Sequence, residues 1–377
     1  MTVVRRAAPR TTQPECGAAP RRTAVTPFPR KGVGGKVDFA DRLIRWQKLH
    51  GRHDLPWQGT RDPYRVWLSE VMLQQTQVAS VIPYYLRFLA RFGDFAALAA
   101  APAEQVMALW SGLGYYARAR NLHACAQTIV AEHGGRFPDA PEIIASLSGI
   151  GPSTANAIAV FCFGARMPIL DGNVKRLLCR HAGVAGYPGT PTVERELWRL
   201  AESLLPGKDV DIYIQAQMDL GATICTRSRP ACVLCPLADD CVAYRQDRLA
   251  ELPAARPRKA LPERQVVVLV LICGGKVLVE QRPPTGIWGG LLSLPEIDAR
   301  ADPDSETTRR GWRILSRRTL PDLRHAFTHF RLHIRPLLCQ VEAVGVTDNT
   351  ARWLDFASLD KAPLPAPIRR LLATLDR

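Results

Sequence analysis

The sequence contains no apolar stretch of the roughly 18 residues that a membrane-spanning helix requires. It also has no apolar segment of the signal-peptide type near its first residue. Its ten cysteines are therefore expected in a reducing compartment, where disulfides are rare. We predict a protein without membrane contact, located in the cytoplasm and associated with the nucleoid if its source is bacterial.

Acidic residues are few relative to basic ones, with 35 Asp and Glu against 50 Lys and Arg and a net charge of +15. Such an excess favours a polyanionic partner, because Lys and Arg that neutralise phosphates release condensed counterions. Residues 1–37 carry +7 of this charge in a Pro-, Ala- and Gly-rich stretch. We predict a disordered basic tail there. A solvated extension is the default interpretation, and a nonspecific DNA tether or a transit-like sequence are the alternatives.

Strand signals are nearly absent from residues 38–244, where apolar residues recur three and four positions apart. This spacing predicts a helical domain. Residues 245–264 hold three prolines and six basic residues, which predicts a linker. In residues 265–377 an α+β domain is predicted, with a hairpin at Gly274-Gly275 between strands 266–272 and 276–281, further strands at 291–294 and 332–341, and a helix at 368–375.

Four cysteines form a C-x6-C-x2-C-x5-C motif over residues 225–241: Cys225, Cys232, Cys235 and Cys241. Zinc ribbons usually pair two C-x2-C knuckles, and only Cys232 and Cys235 form one here. The spacing therefore favours an iron-sulfur cluster. Unligated cysteines grouped by chance are the alternative, which is disfavoured because the other six cysteines are scattered singly.

Residues 141–164 predict two helices joined by a turn at Gly149-Ile150-Gly151. Backbone N–H groups at the start of the second helix can bind a DNA phosphate. Many structural helix pairs contain the same glycines, so this motif alone leaves both interpretations open.

Glu70 lies on a predicted helix that starts at Asp62-Pro63. Val66, Trp67 and Leu73 share its face, so desolvation would raise the pKa of this carboxyl toward that of a general acid. A structural glutamate paired with a buried Arg or His is an equally weighted alternative.

Asp171 precedes a second predicted helix. A helix cap is the simplest interpretation of this residue. The helix terminus would also keep the carboxylate ionised, as a reaction with a developing cation requires.

Taken together, the hairpin, both carboxyls and the cysteine motif resemble the endonuclease III superfamily of DNA glycosylases. Within it, segments 55–57, 67–78, 112–123 and 225–227 resemble the adenine DNA glycosylase (MutY) family. The resemblance extends from about residue 38 to the C-terminus. It implies two helical subdomains with the active site between them, a [4Fe-4S] cluster on the four cysteines and a Nudix-like C-terminal domain.

The implied activity belongs to base excision repair: removal of adenine mispaired with 8-oxoguanine or guanine in double-stranded DNA, by a monomer. Glu70 matches the family's general acid and base, and Asp171 its cation-stabilising carboxylate, with Asn173 nearby. Gln75 and Tyr115 match residues that enter the DNA stack. Further expected DNA contacts are Trp57, Gln58, Thr76, Leu113, Gly114, Gly149, Gly151, Ser153 and Gln215, and the expected lesion-reading residues are Phe327, Thr328 and His329.

The sequence departs from the family or its relatives at several positions. Ser153 stands where bifunctional relatives carry a Schiff-base lysine, so we expect no strong lyase activity. Ser148 replaces a usual proline, and Thr328 a usual serine. The acidic spacing after Gly289-Gly290 does not match the metal-binding helix of Nudix hydrolases, so no pyrophosphatase activity is expected. Two alternatives remain: a bifunctional pyrimidine or mismatch glycosylase/lyase, and a noncatalytic iron-sulfur DNA-binding protein.

Overall fold

The computed structural model describes residues 38–257, 261–283, 286–327, 329–344, 351–359 and 362–375. The predicted tail, residues 1–37, and Thr328 lie outside the described residues. Within these ranges, no helix is both long and apolar enough to span a bilayer.

The first part of the described chain is helical, as its apolar periodicity predicts. Its helices are α1 (Phe39–His50), α2 (Pro63–Leu73), α3 (Val78–Arg91), α4 (Phe95–Ala99), α5 (Ala103–Trp110), α6 (Ala117–His133), α7 (Pro141–Ser146), α8 (Pro152–Phe163), α9 (Gly172–Ala182), α10 (Pro191–Ser203), α11 (Val210–Thr223) and α12 (Val242–Arg245).

These helices enclose two apolar cores. The first is built from α2 through α8 and contains the fully buried Trp67. The second joins α1 to α9, α10 and α11 and contains the fully buried Leu43. Helix α8 contributes side chains to both cores. Glu70 lies on α2 in the first half, and Asp171 precedes α9 in the second, so each half supplies one of the predicted carboxyls.

The predicted helix-turn-helix is confirmed as α7 and α8. Gly149 has φ +81°, a conformation that L side chains rarely adopt. A Cβ at this position would lie 2.7 Å from the Cβ of Asn121 on α6. Gly149 is therefore needed both for the turn and for the close packing of the hairpin on α6.

The second part of the described chain forms an α+β domain around one sheet. The elements are β1 (Glu263–Cys273), β2 (Lys276–Gln281), β3 (Leu292–Ser293), β4 (Glu296–Asp298), α13 (Pro303–Arg309), β5 (Trp312–Thr319), β6 (Leu323–Ala326), β7 (Arg331–Ala343), β8 (Ala351–Asp355) and α14 (Ala366–Ala373). Strands follow the order β3-β2-β1-β7-β5, with β4 beside β1, β6 beside β7, and β8 beside β2. Strands β1 and β7 are parallel, and the other pairs are antiparallel.

The predicted hairpin is confirmed by β1 and β2. Gly274 and Gly275 both have positive φ, which suits a two-residue hairpin turn. The predicted strands 291–294 and 332–341 overlap β3 and β7, and the predicted terminal helix overlaps α14. Strand β1 begins at Glu263, inside the predicted linker, because it pairs with β7 from that residue onward. The boundaries 38–244, 245–264 and 265–377 otherwise stay predictions.

The sheet domain packs against the first turn of α6 and the segment that joins it to α5. Arg120 donates a hydrogen bond to the carbonyl of Gly289 at 2.6 Å. Arg369 donates to the Ser111 hydroxyl at 3.0 Å. Apolar residues of both domains form one continuous core.

Candidate active site and DNA interface

Glu70 lies on a helix face that is otherwise apolar. Asp62 caps the N-terminus of α2 and Pro63 occupies its first turn, as the sequence predicts. Val66 and Trp67 are buried on the same side. Desolvation, followed by the negative charge of Asp171, raises the pKa of Glu70 from 4.5 to about 7. No Arg or His of the described residues contributes to this pKa, which disfavours a structural ion pair.

Asp171 is the N-cap of α9. Its Oδ1 accepts a hydrogen bond from the Val174 backbone N–H at 2.8 Å, and its Oδ2 accepts one from Asn173 Nδ2 at 3.2 Å. Burial raises the pKa of Asp171, and these hydrogen bonds and the Arg176 charge only partly offset that rise. Burial thus opposes the ionised state that the cap favours. The negative charge of Asp171 also raises the pKa of Glu70.

Arg176 fixes the position of Asn173, and sequence reasoning missed it. Its Nη2 donates to Asn173 Oδ1 at 2.9 Å, and its Nε donates to the Cys225 carbonyl at 2.7 Å. Gly221 allows α11 to lie close to Asn173 on α9, because a Cβ at position 221 would lie 2.5 Å from the Asn173 Cβ. The only local signal was the i, i+3 spacing of Asn173 and Arg176 on one helix face.

The two residues predicted to enter the DNA stack share an unusual backbone conformation. Gln75 has φ +56° and Tyr115 has φ +49°, and both side chains are exposed. Non-glycine residues in this conformation carry strain and are concentrated at functional sites. Thr76 follows Gln75, and Gly114 precedes Tyr115. The Thr76 hydroxyl and the Gly114 carbonyl both lie within hydrogen-bonding distance of Arg118.

Two residues predicted to contact DNA, Gln215 and Gln58, donate hydrogen bonds from their side-chain amides to groups within the protein. Gln215 Nε2 donates to Asp219 Oδ1 at 2.9 Å, and Gln58 Nε2 donates to the Arg52 carbonyl at 3.0 Å. Asp219 is fully buried and accepts hydrogen bonds from Arg52 N, Nε and Nη2. These contacts hold the segment that carries Trp57, itself 9% exposed, against α11. The sequence signal for this contact is Asp219 itself, an acidic residue between the apolar residues Met218 and Leu220.

Three other predicted DNA contacts, Gly149, Gly151 and Ser153, belong to the hairpin, and Leu113 lies between α5 and α6. The Gly149 carbonyl accepts a hydrogen bond from Gln74 at 3.3 Å, which links the hairpin to the end of α2. Ser153 Oγ accepts one from the Leu170 N–H at 3.0 Å, one residue before Asp171. Gly151 is the N-cap of α8, and Leu113 is buried. The structure thus places the hairpin next to both carboxyl-bearing segments.

The four cysteines of the motif line one cavity together with Arg180 and His181. Burial, with smaller contributions from neighbouring thiols, raises the pKa of Cys235 to about 12. Arg180 Nη1 lies 3.4 Å from Cys225 Sγ. Across the described ranges, no group of three or more His, Cys, Asp or Glu is arranged to hold a single metal ion.

Phe327 and His329 belong to an aromatic cluster at the end of β6. The Phe327 ring stacks on Phe330 with centroids 4.6 Å apart, and the Phe327 N–H donates to the Phe330 carbonyl at 2.9 Å. Trp288 packs against Phe327 at 5.8 Å. Stacked rings and a backbone hydrogen bond therefore hold Phe327 against Phe330.

Comparison with known proteins gives a family match for each of the two domains. Residues 68–203 match the HhH-GPD superfamily of base excision DNA repair proteins, and residues 267–374 match the NUDIX domain. A thermostable thymine-DNA glycosylase of known structure is similar to the helical part, with a TM-score of 0.51, 28% identity, and coverage of 55% of this chain and 95% of that chain. The fold and site define a DNA glycosylase of base excision repair.

The full-length relatives are more specific. Adenine DNA glycosylase of Buchnera aphidicola subsp. Baizongia pistaciae is 33% identical, over 90% of this chain and 97% of that protein. The enzymes of Mus musculus and Homo sapiens are 32% and 31% identical, each over 90% of this chain, and over 78% and 74% of their own length. The chain belongs to the adenine DNA glycosylase family.

Proposed function

We propose that this enzyme hydrolyses the N-glycosidic bond of adenine mispaired with 8-oxoguanine or guanine, and that it has no strong lyase activity. The observation that carries the proposal is the carboxyl pair. Glu70, with a pKa of about 7, is protonated in a large fraction of molecules at neutral pH, and the hydrogen bonds of the helix cap and the Arg176 charge favour the ionised form of Asp171. One protonated and one ionised carboxyl is the arrangement that cleavage of a glycosidic bond requires.

The steps follow from this arrangement. A base inside a duplex cannot reach the carboxyls, so adenine must first rotate out of the stack. Glu70 then donates its proton to a ring nitrogen of adenine, and the electron pair of the C1′–N9 bond leaves with the base. Asp171 stabilises the oxocarbenium-like sugar. Water adds at C1′ and passes a proton to Glu70, which restores the starting state.

The proposed partner is double-stranded DNA, into which Gln75 and Tyr115 would insert. One chain carries both carboxyls and both loops, which supports action as a monomer. Such a substrate places the enzyme with the chromosome, which lies in the cytoplasm of bacteria.

Strand cleavage of an adenine:8-oxoguanine duplex, assayed with and without alkali, tests this function. We expect cleavage only after alkali, because base removal leaves an abasic site that alkali opens. Cleavage without alkali would favour the bifunctional alternative. An intact strand under both conditions would favour a noncatalytic DNA-binding protein.

Ser153→Lys should introduce a primary amine where related lyases carry theirs, so borohydride should trap a covalent DNA adduct. The substitution also removes the hydrogen bond from Leu170 to Ser153, so base release should slow. Ser153→Ala is the matched control, with the same slowing and no adduct. Efficient trapping by the unmodified chain would contradict the monofunctional proposal.

We also propose that Cys225, Cys232, Cys235 and Cys241 hold a [4Fe-4S] cluster. All four line one cavity, and their C-x6-C-x2-C-x5-C spacing lacks the two paired C-x2-C knuckles of a zinc ribbon, which favours a multi-iron group over zinc. When bound, the cluster would supply positive charge to four neighbouring thiolates and fix the loop 225–241. Arg180 also ties this loop to α9 through the carbonyls of Thr226 and Arg227.

Cys232→Ser should abolish the brown colour and lower the iron and sulfide content, because a ligand is lost, and DNA binding should weaken as the loop loses its shape. Cys273→Ser, in the sheet domain, is the control and should keep both properties. Metal analysis, visible absorption and DNA binding are the measurements. A colourless, zinc-containing and fully active protein from anaerobic, iron-replete purification would contradict the cluster.

Phe327, Thr328 and His329 are proposed to read the base opposite adenine. Thr328→Ala should reduce the preference for 8-oxoguanine over guanine by roughly 1 to 3 kcal/mol, the usual contribution of one base-edge contact. Thr319→Ala, an exposed threonine on β5, is the control. The ratio of single-turnover excision rates on the two duplexes is the measurement. An unchanged ratio would show that discrimination lies elsewhere.

A further inference from the structure

Arg118, on α6, is buried although its guanidinium is charged. Only 8% of the residue is exposed. Burial lowers the pKa of Arg118 to about 10, so the side chain keeps its charge at neutral pH. A buried charge of this kind is costly unless hydrogen bonds compensate for lost hydration. The partners that compensate here belong to three separate segments.

The first partner is the C-terminal turn of α2. Arg118 Nη1 donates to the carbonyls of Val71 at 3.1 Å and Met72 at 2.6 Å. Carbonyls in the last turn of a helix lack partners within the helix, and a cation there also complements the helix dipole. Val71 directly follows Glu70. Arg118 therefore holds the end of the helix that carries the proposed proton donor.

The other two partners are the loops of Gln75 and Tyr115. Arg118 Nη2 lies 2.9 Å from Thr76 Oγ1 and 3.3 Å from the Gly114 carbonyl. Thr76 follows Gln75, and Gly114 precedes Tyr115. The guanidinium also lies 5.4 Å from the centroid of the Tyr115 ring, within range of a cation–π contact. One side chain thus contacts both loops.

Both loops require such support. Gln75 and Tyr115 have positive φ and exposed side chains. Non-glycine residues persist in this conformation only where the surrounding structure holds them there. A guanidinium has five N–H donors in a rigid planar fork, so it can bridge several acceptors at fixed angles. An ammonium group has no such fork.

We propose that Arg118 is a positioning residue that couples the two stack-entering loops to the helix bearing Glu70. It acts through its partners, so that insertion of Gln75 and Tyr115 into DNA and alignment of Glu70 with the flipped base occur together. The inference rests on the proposed glycosylase function and adds to it a residue that contacts neither the base nor the reacting atoms.

Arg118→Lys tests the coupling, because it keeps the charge and loses the fork. We expect single-turnover excision with saturating adenine:8-oxoguanine duplex to slow by roughly 10- to 100-fold, the usual effect of misplacing a reacting group. Arg91→Lys, an exposed arginine on α3, is the matched control and should excise at the wild-type rate. Wild-type activity in this assay tests the function itself. Excision by the wild type with an unchanged rate in Arg118→Lys would overturn only the coupling.

A second readout separates positioning from general destabilisation. In a Glu70→Gln background, which should bind DNA without cutting it, 2-aminopurine beside the mispair reports unstacking by its fluorescence. Arg118→Lys should reduce the fluorescence increase on binding. A lower melting temperature with unchanged fluorescence and unchanged excision would show a structural residue and overturn the proposal.

Double variants test whether Arg118 affects excision through the Tyr115 loop. If Arg118 acts through the Tyr115 loop, Arg118→Lys combined with Tyr115→Ala should excise no more slowly than the slower single variant. Independent, multiplicative losses would overturn the coupling.

Thr76→Val covers the case in which Arg118→Lys fails to fold. It removes the hydrogen bond that Thr76 Oγ1 accepts from Arg118 and the one that it donates to the Gln74 carbonyl, and it keeps the side-chain shape. We expect a several-fold slower excision that is not additive with Tyr115→Ala on the other loop. If Thr76→Val only removed a DNA contact, its loss of excision rate would multiply with that of Tyr115→Ala, and that result would overturn the proposal.

Discussion

Glu70→Gln should slow adenine excision by at least the roughly 10²- to 10⁴-fold that general acid catalysis supplies, while DNA binding persists. Glutamine keeps the shape of the side chain and removes its transferable proton. The apolar side chains beside it, Val66 and Trp67, stay in place. Single-turnover excision with saturating duplex is the measurement, since binding and product release then do not limit the rate. Glu142→Gln, an exposed glutamate on α7, is the control.

The direction in which the excision rate changes with pH also tests this prediction. A general acid must be protonated to act, and desolvation places the pKa of Glu70 at about 7. Wild-type excision should therefore decline as pH rises above about 7, and the residual rate of Glu70→Gln should lack that decline. Near wild-type excision by Glu70→Gln would show that the glutamate is structural, and the catalytic assignment would then be wrong.

Local chemistry made much of this site predictable. An Asp-Pro pair marks the start of α2, and an Asp at the N-cap marks the start of α9, so both carboxyls could be placed on their helices from sequence. The glycines at 149, 274 and 275 fixed two turns in the same way. These features depend on backbone preferences over a few residues, which a sequence records directly.

Long-range polar contacts were not predictable. Arg52 and Asp219 are 167 residues apart, and Arg118 and Met72 are 46 apart, so no local periodicity relates them. Gln215 and Gln58 were assigned to DNA, yet each has a partner within the protein. Arginine and glutamine patterns look similar in a sequence whether the partner is a phosphate or a carbonyl, and only the fold shows which carbonyls lie within reach.

Strands β4, β5, β6 and β8 were not predicted, and for β5 the reason is related. Six of the eight residues of β5 are exposed, and its register shifts between Ile314 and Ser316. Apolar alternation is therefore weak there. Its pairing with β7 determines the strand, and that pairing is a property of the whole sheet.

Asp171→Asn should also slow excision, by roughly 10²- to 10³-fold, but for a different reason. Asparagine is a good N-cap and can still accept the hydrogen bond from Val174 N, so the start of α9 should survive. Proton donation by Glu70 remains possible. What is lost is the negative charge that would face the oxocarbenium-like sugar.

The pH profile separates the two variants. The charge of Asp171 adds to desolvation in raising the pKa of Glu70, so removing that charge should lower this pKa. The alkaline decline in excision should then begin at a lower pH in Asp171→Asn than in the wild type, whereas Glu70→Gln should have no such decline. Asp209→Asn, which removes an exposed ion pair with Lys48, is the control and should leave rate and profile unchanged. A near wild-type rate with an unshifted profile in Asp171→Asn would mean that Asp171 is a helix cap without electrostatic influence on Glu70 or on the sugar.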